Sequence, residues 1–427
     1  MPLDGMKPPG MLPPHLTRLA PATTGFTLDQ LIAMALACNP TLVQALAQVD
    51  ASRAKSLQAG LLPNPVIGYV SEQIGASGPG ETQGGFIEQE IFRGGKLRLS
   101  RAKYRQEAVQ AEMQVEAQRL RIINDVRIKY YEVLAAQQYL VVARELLANH
   151  EELLQTTREM ANVGQANRTD VLSVQVAFQR ARVKLRGAEN RFKKDWQALV
   201  AVVGSPDLPV SGVAGDLEQD LPALSWHQAL RLILEHSPQL KVARAEVLRD
   251  EITVQRERVQ PIPNAFLRVE TGYNWEVNLT TVGVQYGWNF PILNRNQGTI
   301  REAMAEVVRA RAEVTRLELW LRQRLAEVFA HYETALAAIA TYRDESLPQA
   351  HEAFQLNLDG YRQRRTPWAQ VVLSQRTYSD LLEEYIETLL ELRHGEIEIS
   401  GMLLTGGLSQ PESPTPGGHI DATPQPR

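Results

Sequence analysis

The sequence contains a single cysteine, Cys38. One thiol excludes an intrachain disulfide framework and a zinc site built from cysteines. It ends an apolar run with helical spacing, LIAMALAC, so we expect the thiol to be packed inside the protein. Long apolar runs are also lacking, because stretches such as ALVAVVG fall well short of the roughly 18–20 residues that a membrane helix needs. The sequence therefore predicts no transmembrane helix.

The sequence also lacks an excess of one charge. It has 45 basic and 49 acidic side chains, a net charge of -4, and both signs are interspersed along the helical stretches. Because no face is strongly basic, nucleic acid is not predicted as a partner. Prolines occupy the N-terminal positions where a secretory signal has its apolar core, so no signal peptide is expected in the sequence as given. Three explanations remain open: the protein is cytoplasmic, the sequence as given starts downstream of the true start, or a leader was already removed.

Catalytic and metal-binding motifs are missing too. The GGK stretch at 94–96 lacks the earlier glycine and the following Ser or Thr of a phosphate loop. The His-Glu dipeptides at 150–151 and 351–352 lack the second histidine of a zinc protease helix. We therefore predict neither an enzyme nor a bound metal or cofactor.

The chain repeats itself once, at an offset of roughly 200 residues. The matched positions include three prolines and a valine: Pro40 with Pro238, Pro63 with Pro261, Pro65 with Pro263, and Val171 with Val371. We predict two structural repeats, residues 26–204 and 224–405, joined by a Pro- and Gly-rich linker at 205–223. Residues 1–25 and 406–427 are predicted to be a disordered N-terminal segment and tail.

Both repeats have the same predicted order of elements. A helix of about thirty residues opens each one, at 27–60 and 225–260, and ends at a proline pair because proline cannot continue a helix. Thr27 and Asp29 are the candidate caps of the first helix. Strands follow at about 64–92 and 264–291. A long helical pattern, broken once at about 162–170 and 360–368, completes each repeat.

The strands of the second repeat alternate with period two. Apolar or aromatic residues at 267, 269, 271, 273 and 275, and again at 282, 284, 286, 288 and 290, are separated by polar residues and glycines. Strands of this length suit a bilayer crossing, and four aromatics would suit its interfaces: Tyr273, Trp275, Tyr286 and Trp288. A soluble hairpin with a buried aromatic face explains the same pattern. The strands of the first repeat alternate poorly.

The long helices predict antiparallel hairpins. The helical run before the first break has about 65 residues and would be on the order of 100 Å long, too long for one globular domain to bury. Such a helix needs a partner of similar length, and residues 170–203 supply it as a second helix that runs back along the first. Its predicted apolar side consists of Leu172, Val176, Phe178, Val183 and Leu185.

The two breaks are predicted to be the tips of these hairpins. In the first, Gly164 and Asn167 tolerate left-handed backbone, and Thr169 with Asp170 can cap the returning helix. In the second, Thr366 is the predicted cap and Pro367 fits the first helical turn. Both tips are expected at the same end of the molecule, because both follow the strands by similar lengths.

One protomer would then hold four strands and two helical hairpins. Four strands cannot close a barrel, and an open edge in lipid leaves amide groups unpaired at a cost of several kcal/mol each. Oligomerisation would close the sheet. The predicted fold class is therefore mainly α with a small membrane β part.

The order of loose motifs resembles the TolC family of outer-membrane efflux proteins, and the outer-membrane components of resistance-nodulation-division exporters in particular. The motifs are Leu28 to Pro40, Ser237-Pro238, Leu62 to Pro65, Phe290 to Gly298, Val163-Gly164 through Val171, and Leu347-Pro348 followed by Tyr361. The resemblance implies an outer-membrane channel with a periplasmic extension. It also implies a homotrimer with a 12-stranded barrel, an α-helical barrel, and tips that contact a periplasmic adaptor protein working with an inner-membrane pump.

By this resemblance the tips are the docking and gating end. In the first tip Gly164, Thr169, Asp170 and Leu172 match the family's pattern, and Asn167 and Arg168 lie between them. The second tip departs from the pattern, because Arg364 replaces a glycine, and Gln370 and Leu373 stand where some members carry aspartates. A basic rim of Arg362, Arg364 and Arg365 is the alternative to an acidic gate, unless these arginines are merely solvated or paired.

A different class of function also fits the helical pattern. The chain would then be a soluble helical scaffold whose hairpins bind partner proteins and whose strands form a small cap. A requirement for detergent separates this class from the channel. Under the channel hypothesis the cargo is a small molecule or a metal ion, and the sequence does not distinguish between them.

Overall fold

The structure is a computed structural model that describes residues 22, 25–72, 81–164, 166–219, 221, 223–363 and 365–412. Most of the predicted N-terminal disordered segment, and residues 413–427 of the predicted tail, lie outside the described residues. In the first half the elements are α1 Leu28–Cys38, α2 Pro40–Gln58, β1 Val66–Glu72, β2 Thr82–Ile91, α3 Lys96–Asn162 and α4 Arg168–Val203. In the second half they are α5 Trp226–His236, α6 Pro238–Val259, β3 Ala265–Asn274, β4 Leu279–Trp288, α7 Gln297–Thr341, α8 Leu347–Arg362 and α9 Trp368–Ser400, with a π-helical turn Tyr342–Ser346 between α7 and α8.

The prediction of one opening helix per repeat was wrong, because each is two helices. The first breaks at Asn39, whose backbone is extended since the residue before a proline avoids the helical region. The buried Asn39 amide donates to the Val202 carbonyl at 2.8 Å and its oxygen accepts from the Thr41 amide at 3.0 Å. Ser237 precedes Pro238 in the same way. Thr27 caps α1, and Cys38, expected to be packed, is exposed.

The described residues of Met1–Leu42, Gln118–Glu235 and Trp320–Gln410 form one compact unit, which we call the helical unit. Its core is aliphatic and comes from the inward stripes of α3, α4 and α9, where these side chains are fully buried: Ile122, Val126, Val133, Leu134, Leu199, Val203, Ile386 and Leu389. Apolar residues three and four positions apart on long helices create such stripes. The predicted antiparallel hairpins are therefore present in this unit.

The linker 205–223 is bound to the helical unit by hydrogen bonds to its backbone. The Gln137 amide oxygen accepts from the Val213 amide at 2.7 Å, and its nitrogen donates to the Val213 carbonyl at 3.0 Å. The Arg393 guanidinium donates to the Leu217 carbonyl at 3.1 Å. A segment with few apolar side chains is held in this way because its backbone groups find partners on the helices.

We expect replacement of Arg393 by methionine to destabilise the helical unit. Arg393 is 2% exposed and pairs with one oxygen of Glu396 at 2.8 Å, so its removal leaves that oxygen and the buried Leu217 carbonyl without this donor. Arg127 still pairs with the other Glu396 oxygen at 3.3 Å. The expected loss of unfolding free energy is about 2–4 kcal/mol. The measurement is denaturant unfolding of the purified protein.

The control for this variant is Arg376→Met on the same helix. The Arg376 side chain is 73% exposed and pairs with Asp380 at 3.4 Å, so its removal should cost about 1 kcal/mol or less. Equal losses for the two variants would show that burial of Arg393 contributes nothing to stability.

The start of the predicted disordered tail is ordered. The backbone amides of Gly406 and Gly407 donate to the two Asp125 carboxylate oxygens at 3.1 and 2.7 Å. The Gly407 carbonyl accepts from the Thr41 hydroxyl at 2.8 Å and from the Gln118 amide at 2.9 Å. Composition alone did not reveal these partners, because they come from distant parts of the chain.

The described residues of Val43–Ala117, His236–Leu319 and Pro411–Arg427 form the second unit, which we call the strand unit. Apart from Tyr104 and Leu240, its buried apolar positions on the helices are small: Ala45, Val49, Ala108, Ala111, Ala117, Ala243, Ala245, Val254, Ala303, Val307 and Ala310. Polar side chains are buried among them, including Ser52, Gln110 and Gln114. Alanine lets helices approach closely, so a narrow helix bundle carries the sheet.

The four strands form one antiparallel sheet in the order β1-β2-β3-β4. The β2–β3 pair, with Ile91 opposite Ala265 and Thr82 opposite Asn274, joins the two halves of the chain. In the β3–β4 pair Leu267 lies opposite Tyr286 and Val269 opposite Val284, so the apolar rows of both strands share one face. The outer strands β1 and β4 leave one edge each without a partner strand among the described residues.

Within the described part of the chain, no single helix is long and apolar enough to span a bilayer, although α1 and α2 together pass as a bent pair.

Candidate functional site

One face of the sheet is apolar and exposed; we call it the apolar face. Its exposed members are Ile67, Tyr69, Ile87, Ile91, Leu267, Val269, Tyr273, Val282, Val284, Tyr286 and Trp288. Val284, in the middle of β4, is 68% exposed and Ile67 in β1 is 77% exposed. A contiguous apolar surface of this kind marks contact with a membrane or another protein. The alternative of a soluble hairpin with a buried aromatic face does not fit this exposure.

The four aromatic residues predicted for the membrane strands form two pairs at opposite ends of this face. Tyr273 and Trp275 meet edge to face at 4.8 Å between ring centroids beside the β3–β4 turn, and Tyr286 and Trp288 meet at 5.5 Å near the end of β4. Trp288 lies opposite Ala265 in the sheet, and Ala265 is eight residues before Tyr273 on β3. The two aromatic pairs are therefore separated by about 26 Å along the strand. Aromatic girdles of membrane strands flank an apolar band about 25 Å tall.

The opposite face of the sheet is polar; we call it the polar face. It carries Glu88 and Glu90 on β2, Arg268 and Glu270 on β3, and Gln285 on β4. Arg268 pairs with Glu270 at 3.3 Å, and its guanidinium lies 3.9 Å from the centre of the Phe86 ring. A sheet with one lipid-compatible face and one hydrated face separates a bilayer from water.

The first hairpin tip turns at Gly164. Its φ of 74° is left-handed, as expected for the glycine that ends a helix. Asn167, expected in the same conformation, is instead extended and caps α4: its side chain accepts from the Asp170 amide at 2.8 Å, and Asp170 accepts from the Asn167 amide at 3.0 Å. The prediction that Thr169 and Asp170 form the cap was therefore wrong in detail, because Asp170 is the third residue of a capping box.

The second hairpin tip turns after Gly360. The Gly360 carbonyl accepts from the amides of Arg365 at 2.7 Å and Thr366 at 3.2 Å. A Cβ on Gly360 would lie 2.2 Å from the Thr366 hydroxyl, so a side chain at this position would displace the Thr366 side chain. Thr366 does not cap α9 as predicted, because the cap position is Pro367 and no side chain bonds to it.

The remaining predicted tip residues lie at the surface. Arg168, Thr169, Arg365 and Gln370 are exposed, and Leu172 is 53% exposed. Arg364 lies outside the described residues, as does the side chain of Arg362, so the predicted basic rim is represented by Arg365 alone.

An apolar cluster joins the two tips; we call it the tip cluster. Its buried members are Leu154, Val174, Phe354, Trp368 and Val371, from α3, α4, α8 and α9. The Tyr361 ring meets Trp368 edge to face at 5.1 Å, and its hydroxyl contacts the Met160 sulfur at 3.9 Å. Burial, together with the charge of Asp170, raises the pKa of Tyr361. Both tips therefore lie together, as predicted.

Sequence reasoning missed the tip cluster. Its local signal on α8 was Phe354, Leu358 and Tyr361, which recur at four and three residues and make one helical face. The partners on α3 and α4 are about 200 residues away in the sequence, so only the fold identifies them.

The apolar side predicted for α4 is not one packed face. Leu172, Val176 and Val183 are 53%, 54% and 73% exposed and line an open groove with Gln175, Gln179 and Arg180. Val174 and Ala181, on the other side of the helix, are buried in the helical unit. Helix α4 thus has one face toward its own chain and one apolar stripe, residues 172–183, without a partner among the described residues.

A buried histidine lies beside this stripe. His150 on α3 is 7% exposed, its ring Nδ1 donates to the Leu146 carbonyl at 2.7 Å, and it lines a groove of about 350 Å³ with Arg180 and Lys184. Burial lowers the pKa of His150 below its usual value. Its neutral form is therefore favoured in the folded protein.

Acid should destabilise the helical unit through His150. The folded pKa lies below that of the unfolded chain, about 6.5, so the contribution to stability is present above that pH and is lost as the pH falls toward the folded pKa. We expect the His150→Gln variant to lose less thermal stability than the wild type when the pH is lowered from 7.5 to 5.5. The same change at the exposed His227 is the control. An undiminished loss in the His150 variant would contradict this account.

No group of three or more His, Cys, Asp or Glu side chains within the described ranges is arranged to hold a metal ion. The features that define the chain are instead its surfaces. They are an exposed apolar sheet face with an aromatic pair at each end, two sheet edges without a partner strand among the described residues, and helical hairpins that end in joined tips. Strands with one apolar face and one polar face are typical of proteins that line a channel through a membrane.

Comparison with known proteins agrees with this class. Residues 31–205 match the family model of the outer membrane efflux protein. The chain is similar to this family, the TolC family, whose members are non-enzymatic channels of the bacterial outer membrane with a periplasmic extension. Channels of the family are trimers in tripartite efflux systems.

Three relatives illustrate the similarity. The cobalt-zinc-cadmium resistance protein CzcC of Cupriavidus metallidurans is 24% identical over 367 residues, 85% of this chain and 86% of the relative. The toluene efflux pump outer membrane protein TtgF of Pseudomonas putida is 29% identical over 262 residues, 57% of this chain and 54% of the relative. The structure of CusC has the same fold, with a TM-score of 0.75, 16% identity and coverage of 89% of this chain and 92% of CusC.

Proposed function

We propose that three copies of this chain form the exit duct of a tripartite efflux system. The observation that carries the proposal is the apolar face, an exposed surface bounded by aromatic girdles at the spacing of a bilayer. The sheet that bears it has two unpaired edges, which cannot persist in lipid. The sheet is therefore completed by further copies.

The strand directions support closure by copies of the same chain. Because β1 to β4 alternate in direction, β4 of one copy is antiparallel to β1 of the next. Two copies would give eight strands, a barrel whose interior is filled by side chains, whereas three give twelve and leave an aqueous lumen lined by the polar face. A homotrimer is the smallest assembly that conducts.

The unpartnered stripe on α4 fits the same assembly. Leu172, Val176 and Val183 follow one another at four and seven residues, the spacing of a coiled-coil seam. In the trimer this stripe packs against a helix of the neighbouring copy, so the helical hairpins close into an α-helical barrel.

The joined tips are the proposed docking and gating end. The residues proposed for the first tip are Gly164, Asn167, Arg168, Thr169, Asp170 and Leu172, and those proposed for the second are Arg362, Arg364, Arg365 and Gln370. They would contact a periplasmic adaptor protein that works with an inner-membrane pump. Asp170 and Gln370 hold equivalent positions in the two repeats, so the two tips contribute differently to any gate.

We propose divalent metal cations as the cargo. The relative matched over most of both chains is a cobalt-zinc-cadmium resistance protein. Organic solvents are the second candidate, from the toluene efflux relative that is matched over about half of its length. Loss of the gene should sensitise its host to cobalt, zinc or cadmium, whereas sensitisation to toluene alone would reverse the assignment.

Disulfide cross-linking tests the assembly. In a Cys38→Ser background, Tyr69→Cys on β1 combined with Val282→Cys on β4 should join neighbouring copies and give a ladder of species that ends at three chains. The pair Val269→Cys and Val284→Cys, which are opposite each other within one chain, is the control for thiol access and yields no ladder. A double variant that stays monomeric while the control pair oxidises would refute the trimer.

A further inference from the structure

Glycine is distributed unevenly between the two faces of the sheet. Of the six glycines in the strands, five lie on the polar face: Gly68, Gly84, Gly272, Gly283 and Gly287. Only Gly85 lies on the apolar face. Glycine weakens a strand, so its concentration on one face indicates a close approach that a side chain would block.

Three of these glycines lie directly opposite a large side chain that occupies the space above them. Phe86 is paired with Gly68, and a Cβ on Gly68 would lie 2.5 Å from the Phe86 ring. Phe266 is paired with Gly287, where a Cβ would lie 2.6 Å from the Phe266 ring. The third pair is Glu270 with Gly283, where a Cβ would lie 2.9 Å from the Glu270 side chain.

Two of the side chains over the glycines, Phe86 and Glu270, are themselves in contact with Arg268. The Arg268 guanidinium lies 3.9 Å from the centre of the Phe86 ring and pairs with Glu270 at 3.3 Å. Phe86 and Glu270 are therefore held against the sheet by the glycines opposite them, and Arg268 is held by its contacts with both. Phe86 or Glu270 would extend away from the sheet if the space over its glycine were filled.

We propose that the pairs of a large side chain over a glycine set the internal width of the channel's β-barrel. The proposal rests on the proposed function, in which the polar face lines the lumen. With three copies, each pair occurs three times around the wall. Phe86, Phe266 and Glu270 lie along the wall instead of across the lumen, because glycine gives them a surface to lie on.

The residue pair Gly68 and Gly85 supplies a matched test. Gly68→Ala adds a methyl group where the Phe86 ring lies, so the ring and the Arg268 stacked on it must move away from the wall. Gly85→Ala adds the same group one residue away from Phe86, on the apolar face, where it would meet only the Gly68 carbonyl at an ordinary 3.6 Å. Both changes have the same cost in strand propensity.

The experiment records single-channel conductance of the full-length protein in planar bilayers, and the largest poly(ethylene glycol) that enters the channel. We expect Gly68→Ala to lower the conductance and to exclude the largest polymer that enters the wild type, with Gly85→Ala unchanged. The double variant Gly68→Ala/Phe86→Ala should regain entry of that polymer. Gly287→Ala, alone and with Phe266→Ala, repeats the test at an independent pair.

Two outcomes overturn the proposal. One is equal conductance and polymer entry for Gly68→Ala and Gly85→Ala. The other is a double variant as restricted as Gly68→Ala alone, which would assign the loss to the strand and not to the displaced ring. A wild-type chain that forms no channel would instead refute the proposed function, so the two failures are distinguishable.

Discussion

Replacement of Val284 by arginine is expected to abolish insertion of the protein into membranes. Val284 is 68% exposed, lies opposite Val269 in the middle of the apolar face, and would contact lipid in the assembled channel. An arginine at the midplane of a membrane strand costs about 2–4 kcal/mol, and the trimer contains the change three times. The measurement is the fraction of the protein recovered in the outer-membrane fraction.

The control places the same charge on the other face of the same strand. Thr281 lies opposite Gly272 on the polar face, so Thr281→Arg should face water and insert as the wild type does. Normal insertion of Val284→Arg, or equal loss for both variants, would show that the apolar face does not contact lipid.

Replacement of Trp368 by alanine is expected to open the joined tips. Trp368 is 9% exposed and contacts Tyr361 in the tip cluster, which joins residues of α3, α4, α8 and α9. Loss of a buried tryptophan costs about 3–5 kcal/mol. Since 1.4 kcal/mol is a factor of ten, local opening of the tips should increase by about 100-fold or more.

Trypsin measures this opening, because the turn contains three arginines, at 362, 364 and 365. Cleavage there should accelerate in Trp368→Ala, while the rest of the native chain is cut at its usual rate. Gln370→Ala, two residues further along α9 and exposed, is the control and should be cut like the wild type. Unchanged cleavage of Trp368→Ala would mean that the cluster does not hold the tips together.

The elements with strong periodicity were predictable from the sequence. The helix predicted from about residue 96 to the break is α3, Lys96–Asn162, and the glycine after it ends the helix because its left-handed φ costs nothing. The alternation at 265–290 gave strands β3 and β4 on the correct face, since a period of two determines which residues share a side.

The parts that depend on distant partners were not predictable. Asn39-Pro40 was predicted to lie inside one helix. The residue before a proline avoids the helical region, so the chain forms two helices that meet at this point. The apolar residues of α4 were all assigned to packing within the chain, but a sequence does not state whether its own chain or a second copy covers a given stripe. In the proposed trimer, a second copy of the chain covers the stripe of Leu172, Val176 and Val183.

The pairs of phenylalanine over glycine illustrate the same limit. Phe86 and Gly68 are 18 residues apart, and their contact follows from a strand register that the weak alternation of the first repeat does not determine. The tip cluster depends in turn on four helices from both halves of the chain. Long-range register and packing are properties of the fold, and local patterns specify them only in part.

The most direct test of the account is the mass and the conductance of the purified protein. We predict that the chain requires detergent, that its mass after correction for bound detergent is that of three copies, and that it produces discrete conductance steps in planar lipid bilayers. A monodisperse monomer that is stable in water without detergent and produces no conductance would contradict it.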